Sequence, residues 1–225
     1  MRLHVVNPNS SRSMTVRIDA AARAAAPPGV RIETDSAPGA PPAIEGVIDG
    51  ARAAPGVLDR IAAAAESGAD AHLIACFDDT GLDAARALAR APVIGIGEAA
   101  CHAAAMRAER FAIVTSVRAA VPVLRCNVAR YGFAGRCVAI RAAGVPVLEI
   151  DAGGRDALDA IRRATERALR RDEADVIVLG CAGMADLAAR LAREFNVPVI
   201  EGIAAGVGFA TALARLEAAS GRAQP

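Results

Sequence analysis

Short runs of consecutive apolar residues alternate along the chain with longer stretches in which apolar positions recur every three or four residues. The runs LHVV (3–6), VRIET (30–34), AHLIAC (71–76) and PVIGI (92–96) read as buried strands. So do FAIVT (111–115), VAIR (138–141), DVIVLG (175–180) and VPVI (197–200). Helical periodicity begins after Ser10 or Ser11, either of which suits an N-cap. It continues over 44–67 with a break predicted at Pro55, over 80–90, and from about 98. It returns over 117–130, 155–171, 184–195 and 203–218. Short apolar strands alternating with helices predict an α/β fold with parallel sheets and crossover helices. The segment SAPGAPPA (36–43) reads as a mobile or ligand-facing loop.

The pattern repeats. ARALARAPVIGIGEAA (85–100) parallels ARLAREFNVPVIEGIAA (189–205), and the strand-ending cysteines Cys76 and Cys181 are 105 positions apart. This spacing predicts an internal duplication. The result is two similar lobes, each a four-stranded parallel sheet flanked by helices, related by pseudo-twofold symmetry with the active site in the cleft between them. Residues 1–97 plus 206–225 are assigned to the first lobe and 98–205 to the second. A lone Rossmann-like domain is the competing arrangement.

Composition narrows the chemistry. All 26 basic residues are arginine. Without lysine the chain cannot form a Schiff base with pyridoxal phosphate or build a Walker A phosphate loop. A net charge of +1, with no basic block, no Trp and one Tyr, argues against nucleic acid. The opening MRLHVVNPNS reads as a strand rather than a signal peptide. No window approaches 18 uninterrupted apolar residues, so no membrane span is expected. Five widely spaced cysteines suit a reducing, cytoplasmic setting without disulfides, and no C-x-x-C pair suggests zinc. Alanine-rich helices suggest a homo-oligomer.

In open parallel sheets, ligands bind beyond the carboxyl ends of the strands. Cys76 and Cys181 each end a strand there, ahead of a helix start whose positive end would favour thiolate. Facing thiols suit proton transfer to and from opposite faces of one carbon acid. Backbone N–H groups of Phe77, Asp78, Ala182 and Gly183 are candidate donors to the resulting enolate. Asn9 reads as a substrate-binding amide or an Asx-turn, and Thr115 and Ser116 as substrate hydroxyls or helix caps. Asp78 beside Cys76 would raise the thiol pKa, and Asp79 reads as the cap of the next helix. Glu45 and Glu98 fit either the cleft or solvated helix starts. Cys101, Cys126 and Cys137 have no counterpart in the other half and read as core. His4, His72 and His102 are scattered, which predicts no metal site.

The motifs VVNPNSS (5–11), IEG (44–46), ACFDD (75–79), PVIGIGEAA (92–100) and GCAGM (180–184) resemble those of hydantoin racemases, within the aspartate/glutamate racemase superfamily. The resemblance covers essentially the whole chain. It implies a two-lobed, cofactor-independent racemase whose catalytic pair is Cys76 and Cys181. The substrate would be a small cyclic imide or ureide: a 5-monosubstituted hydantoin, or the ureido-hydantoin allantoin. Phe-Asp and Ala-Gly after the cysteines differ from the Asn-Thr and Thr-His of amino-acid racemases, which disfavours aspartate or glutamate. Arylmalonate decarboxylases keep only the second cysteine, whereas maleate isomerases keep both and remain an option. A two-lobed small-molecule sensor is the non-enzyme alternative. Ala43-Ile44-Glu45 departs from the Ser-Ile-Glu often found in the family, which removes one hydroxyl.

Overall fold

The structure, a computed structural model, describes residues 1–37 and 39–220; residue 38 of the Pro/Gly-rich loop and 221–225, assigned above to the first lobe, lie outside the described residues. Strands β1 (Arg2–Asn7), β2 (Arg31–Ser36), β3 (Ala71–Ile74) and β4 (Val93–Gly95) form a parallel sheet in the order β2-β1-β3-β4. Strands β5 (Phe111–Thr115), β6 (Cys137–Ala142), β7 (Val176–Gly180) and β8 (Val199–Glu201) form a second parallel sheet in the order β6-β5-β7-β8. The orders coincide when every strand is advanced by four, so two similar lobes are present and the lone-domain alternative falls. Each chain path leaves its first strand to one side and returns to the other. The switch points therefore lie between β1 and β3 and between β5 and β7, where ligands bind in this topology.

The inner strands are buried along nearly their whole length because both their faces are covered, and they are apolar apart from Arg2, His4, Asn7, His72 and Thr115. Alternate residues serve different cores. Leu3, Val5, Phe111, Ile113, Val176 and Val178 enter one core shared by both lobes. Val6 and Ile74 face an outer core of the first lobe, and Ala112, Val114, Ile177 and Leu179 one of the second. Helix α1 (Arg12–Ala25) starts at Ser11, whose hydroxyl accepts the Met14 N–H, as the sequence suggested. Helix α7 (Arg155–Arg171) has the predicted bounds and buries Ala157, Ile161, Ala164 and Ala168, a stripe at spacings of three and four.

Two helices join the lobes. Helix α4 (Ile96–Arg107) follows a first-sheet strand but packs against β7, whereas α9 (Gly202–Ala219) follows a second-sheet strand and packs against β3. They pack on each other, and an added Cβ on Gly202 would stand 2.8 Å from the Ile96 carbonyl oxygen. Helix α9 is the one described helix with the length and mean hydropathy, 1.2, of a membrane span. Its apolar residues Ile203, Val207 and Ala210 lie in the shared core.

Several local expectations are corrected. Helix α2 (Val47–Glu66) runs unbroken through Pro55. Its buried residues Ala53, Val57 and Ile61 straddle the proline, so packing holds the axis where one hydrogen bond is lost. The stretch read as helix over 184–195 begins as a 3-10 turn, Ala182–Leu187, before α8 (Ala188–Phe195). Likewise a 3-10 turn, Arg118–Ala120, precedes α5 (Val121–Arg130), while α3 (Leu82–Leu88) is shorter than expected. The short helix α6 (Val147–Ala152) was not anticipated, although Pro146 before it and Gly153, with φ of 75°, after it are ordinary stop and start signals.

The close approach of Gly202 to Ile96 involves backbone on one side, so it cannot relax by a side-chain rotation. Gly202→Ala is expected to lower unfolding free energy by about 1–3 kcal/mol, read as a lower urea midpoint.

Candidate active site

The carboxyl ends of β1, β3, β5 and β7 converge on one small cavity of about 30 Å³ between the lobes. Asn9, Cys76, Phe77 and Asp78 line it from the first lobe, and Thr115, Ser116, Cys181 and Ala182 from the second. Eight of the ten predicted residues therefore meet in one place. Ala75 and Gly180, at the strand ends, complete the wall with Met14, Ile44, Ala120, Leu124 and Val147, and these last five were not anticipated. Those residues carry no chemistry that would mark them in a sequence.

Both catalytic-candidate thiols are half-buried and free. Cys181 precedes a 3-10 turn in place of the α-helix start predicted. Cys76 is followed instead by a turn, with α3 starting only at Leu82, so the helix that comes next in the chain does not present its N-terminus to it. The expected stabilisation of thiolate is not found at either site. Burial, reinforced by Asp78, pushes the Cys76 thiol well up. Burial pushes Cys181 up to about 11, against the lowering effect of the Gly183 N–H. Desolvation of the charged form outweighs one amide dipole.

The thiols differ in their neighbours. Cys76 Sγ donates to Asp78 Oδ1 at 2.8 Å, and the Thr80 hydroxyl donates to the same oxygen at 2.7 Å. Burial raises the Asp78 carboxyl despite both donors. Cys181 has no carboxylate at hydrogen-bond distance among the described residues; Glu45, Asp151 and Asp78 act on it only through space.

The other predicted polar residues divide between site and scaffold. Asn9 does both: Oδ1 accepts from the Ser11 N–H and from Asn7 Nδ2, each at 2.9 Å, while Nδ2 faces Met14 Sδ at 3.4 Å beside the cavity. Ser116 is buried at the cavity wall. No side chain caps the turn that follows it, contrary to the capping alternative. The Thr115 hydroxyl donates to the Gly180 carbonyl at 3.0 Å, tying β5 to β7 rather than capping a helix. Glu45 does not line the cavity. Its Oε1 accepts the Val147 N–H at 2.7 Å and so holds α6 of the other lobe at the cavity rim. Gly183 lies behind Cys181, where an added Cβ would stand 3.7 Å from Sγ. Glu98 pairs with Arg86 outside the cavity.

Asp79 does not cap α3, whose first turn has no side-chain cap. With φ of 52° it turns inward and caps α4, accepting from Gly97 N–H at 2.9 Å and Glu98 N–H at 2.8 Å. The Tyr131 hydroxyl donates to it at 2.5 Å. Burial raises the Asp79 carboxyl to about 7 against these donors. Gly95 and Gly97 leave the room it needs, since an added Cβ on Gly95 would stand 2.3 Å from its carboxyl.

Of the cysteines read as core, Cys101 is buried and Cys137 half-buried, but Cys126 is exposed on the outer face of α5. His4 and His72 bond each other at 3.2 Å within the first lobe, and His102 stacks on Phe133. Among the described residues no cluster of three His, Cys, Asp or Glu could hold a metal ion.

Two duplicated parallel-sheet lobes closing on a thiol-lined cavity define an enzyme of the racemase class. The chain belongs to the Asp/Glu/Hydantoin racemase family, whose model matches residues 3–210. It is 38% identical over 216 residues to a hydantoin racemase from Pseudomonas sp. (strain NS671), covering 96% of this chain and 87% of that protein. A hydantoin racemase from Rhizobium meliloti is 39% identical over 213 residues, covering 95% and 88%. Among solved structures, allantoin racemase from Klebsiella pneumoniae superposes with a TM-score of 0.93 at 48% identity, covering 96% of this chain and 88% of that one. The protein is an isomerase, and the sensor alternative is set aside.

Two outcomes follow from the protonation chemistry. At pH 7.5 iodoacetamide is expected to label exposed Cys126 at least about tenfold faster than Cys181, the gap narrowing as pH approaches 11, read by peptide mass mapping. The folded state binds the Asp79 proton more tightly than the unfolded chain, so this group's contribution to stability falls as pH rises from about 4 to about 7. Asp79→Asn is expected to flatten that slope in urea midpoints measured across the interval.

Proposed function

We propose that the protein inverts C5 of 5-monosubstituted hydantoins by proton transfer between Cys76 and Cys181. The observation that carries this reading is that both thiols open on one cavity from equivalent strand ends of opposite lobes. The C5–H of a hydantoin lies between a carbonyl and an amide nitrogen, and its anion is an enolate delocalised around the ring. A thiolate is base enough for such a carbon acid.

One thiolate takes the C5 proton and becomes a thiol, while the C–H electron pair moves onto the adjacent carbonyl oxygen. The opposite thiol then gives its proton to the other face of C5 and becomes the thiolate. The ring is inverted, and the two sulfurs have exchanged protonation states. The Asp78 carboxylate stands where it accepts the Cys76 proton to prepare the base form. The dry surroundings that oppose ionisation also make any thiolate formed there strongly basic. Asn9 Nδ2 and the Ser116 hydroxyl are the side-chain groups placed to hold the ring carbonyls and N–H groups. The N–H groups of Phe77 and Ala182 are placed to stabilise enolate charge.

A second reading is favoured by the 48% identity to the Klebsiella pneumoniae allantoin racemase: a ureido substituent at C5 in place of an alkyl or aryl group. Racemisation rates across aromatic, aliphatic and ureido hydantoins separate the two.

Cys76→Ser and Cys181→Ser are each expected to lower racemisation by about 100- to 10,000-fold. In deuterium oxide each variant is expected to exchange the C5 proton of one enantiomer only, and the two variants opposite enantiomers, by NMR. Normal racemisation by the double variant overturns the mechanism.

A further inference from the structure

Helix α5 belongs to the second lobe by sequence, yet one of its faces grips the first. Leu124, Asn127 and Tyr131 recur at spacings of three and four and so share that face. Leu124 lines the cavity. The Asn127 amide donates to the Asp78 carbonyl oxygen at 2.8 Å. Tyr131, at the helix end, donates to the Asp79 carboxylate at 2.5 Å, and Arg130 beside it pairs with Asp83. The segment thus gripped, 77–80, makes no helix or strand of its own. Its conformation includes the positive φ of Asp79, which a non-glycine residue holds only when its surroundings impose it. Between these anchor points lies the Asp78 carboxylate that accepts from Cys76.

We propose that Asn127 and Tyr131 are positioning residues that fix the 77–80 turn from the opposite lobe, and thereby hold the Asp78 carboxylate on the Cys76 thiol. Neither side chain lines the cavity, so neither touches substrate. The turn after Cys181 is held differently: the Met184 N–H bonds the Cys181 carbonyl at 3.0 Å, and the first lobe's hydrogen bond to it comes only farther along, where Arg17 donates to Asp186 Oδ2 at 2.7 Å, with no carboxylate set on the thiol among the described residues. The arrangement also couples substrate to base. A ring seated against Leu124 bears on the same helix that sets the Cys76 turn.

The inference rests on the two-thiol reading for its catalytic consequence, but its structural core is testable without turnover. Tyr131→Phe and Asn127→Ala are made in the full chain. Each is expected to lower kcat by about ten- to a hundredfold, with KM changed by no more than about twofold. In the same variants, the rate at which iodoacetamide labels Cys76 is expected to change by about fivefold or more while Cys181 labels as in the parent. Tyr131→Phe keeps the ring and so reads the hydroxyl alone if Asn127→Ala folds poorly. Unchanged labelling of Cys76, or parallel acceleration at both thiols, overturns the proposal, since either means that α5 supports the fold without setting this turn. Labelling that behaves as expected in a protein that racemises no hydantoin retains the positioning claim and rejects the racemase chemistry instead.

Discussion

Two sulfur atoms carried by separate sheets open on one small cavity, and most of the architecture serves to bring them there. A single parallel sheet offers one row of strand ends and approaches a ligand from one side. Duplication supplies a second row, and the exchange of α4 and α9 between sheets fixes the two rows face to face. The exchange needs the helices to start almost in contact, which only a residue without a Cβ permits at Gly202. The shared core that results is continuous from Leu3 to Val178, so the lobes meet through packed apolar side chains rather than through a hinge. Burial then opposes ionisation, and it pushes both thiols up, at Cys181 against the lowering effect of the Gly183 N–H.

Much of this was legible in the chain. Eight apolar runs became eight strands, most plainly the inner ones, which are buried on both faces and whose period-two pattern feeds two cores with few polar interruptions. The equivalence of Cys76 and Cys181 was visible because duplication preserves spacing. The missed features depend on long-range partners. Pro55 is tolerated because side chains on both sides of it are already anchored. Asp79 looks like a cap for the helix that follows it, and it caps one that begins 17 residues later, at Ile96. Glu45 reads as either a cleft residue or a solvated helix start, and it binds a backbone amide 102 residues away. The positive end of a helix was expected to govern the thiols, and burial governs them instead. No local pattern encodes the loss of hydration.

The halves are equivalent in topology and unequal in detail. The first cysteine has a carboxylate partner, a hydroxyl behind that partner, and two donors reaching across from the second lobe. The second has a backbone amide and more distant charges. Divergence after duplication thus left the strand order intact and altered the turns, where function resides in folds of this kind.

That inequality has a thermodynamic boundary. Mirror-image substrates have the same free energy in water, so the ratio kcat/KM must be identical in the two directions, however dissimilar the flanks of the two sulfurs. In the proposed two-thiol mechanism, what Asp78 and its anchors can alter is the partitioning of the free enzyme between its two protonation isomers. Conversion of one isomer to the other between turnovers then sets a ceiling on flux at high substrate concentration, and that ceiling is where the lopsidedness of the molecule becomes measurable.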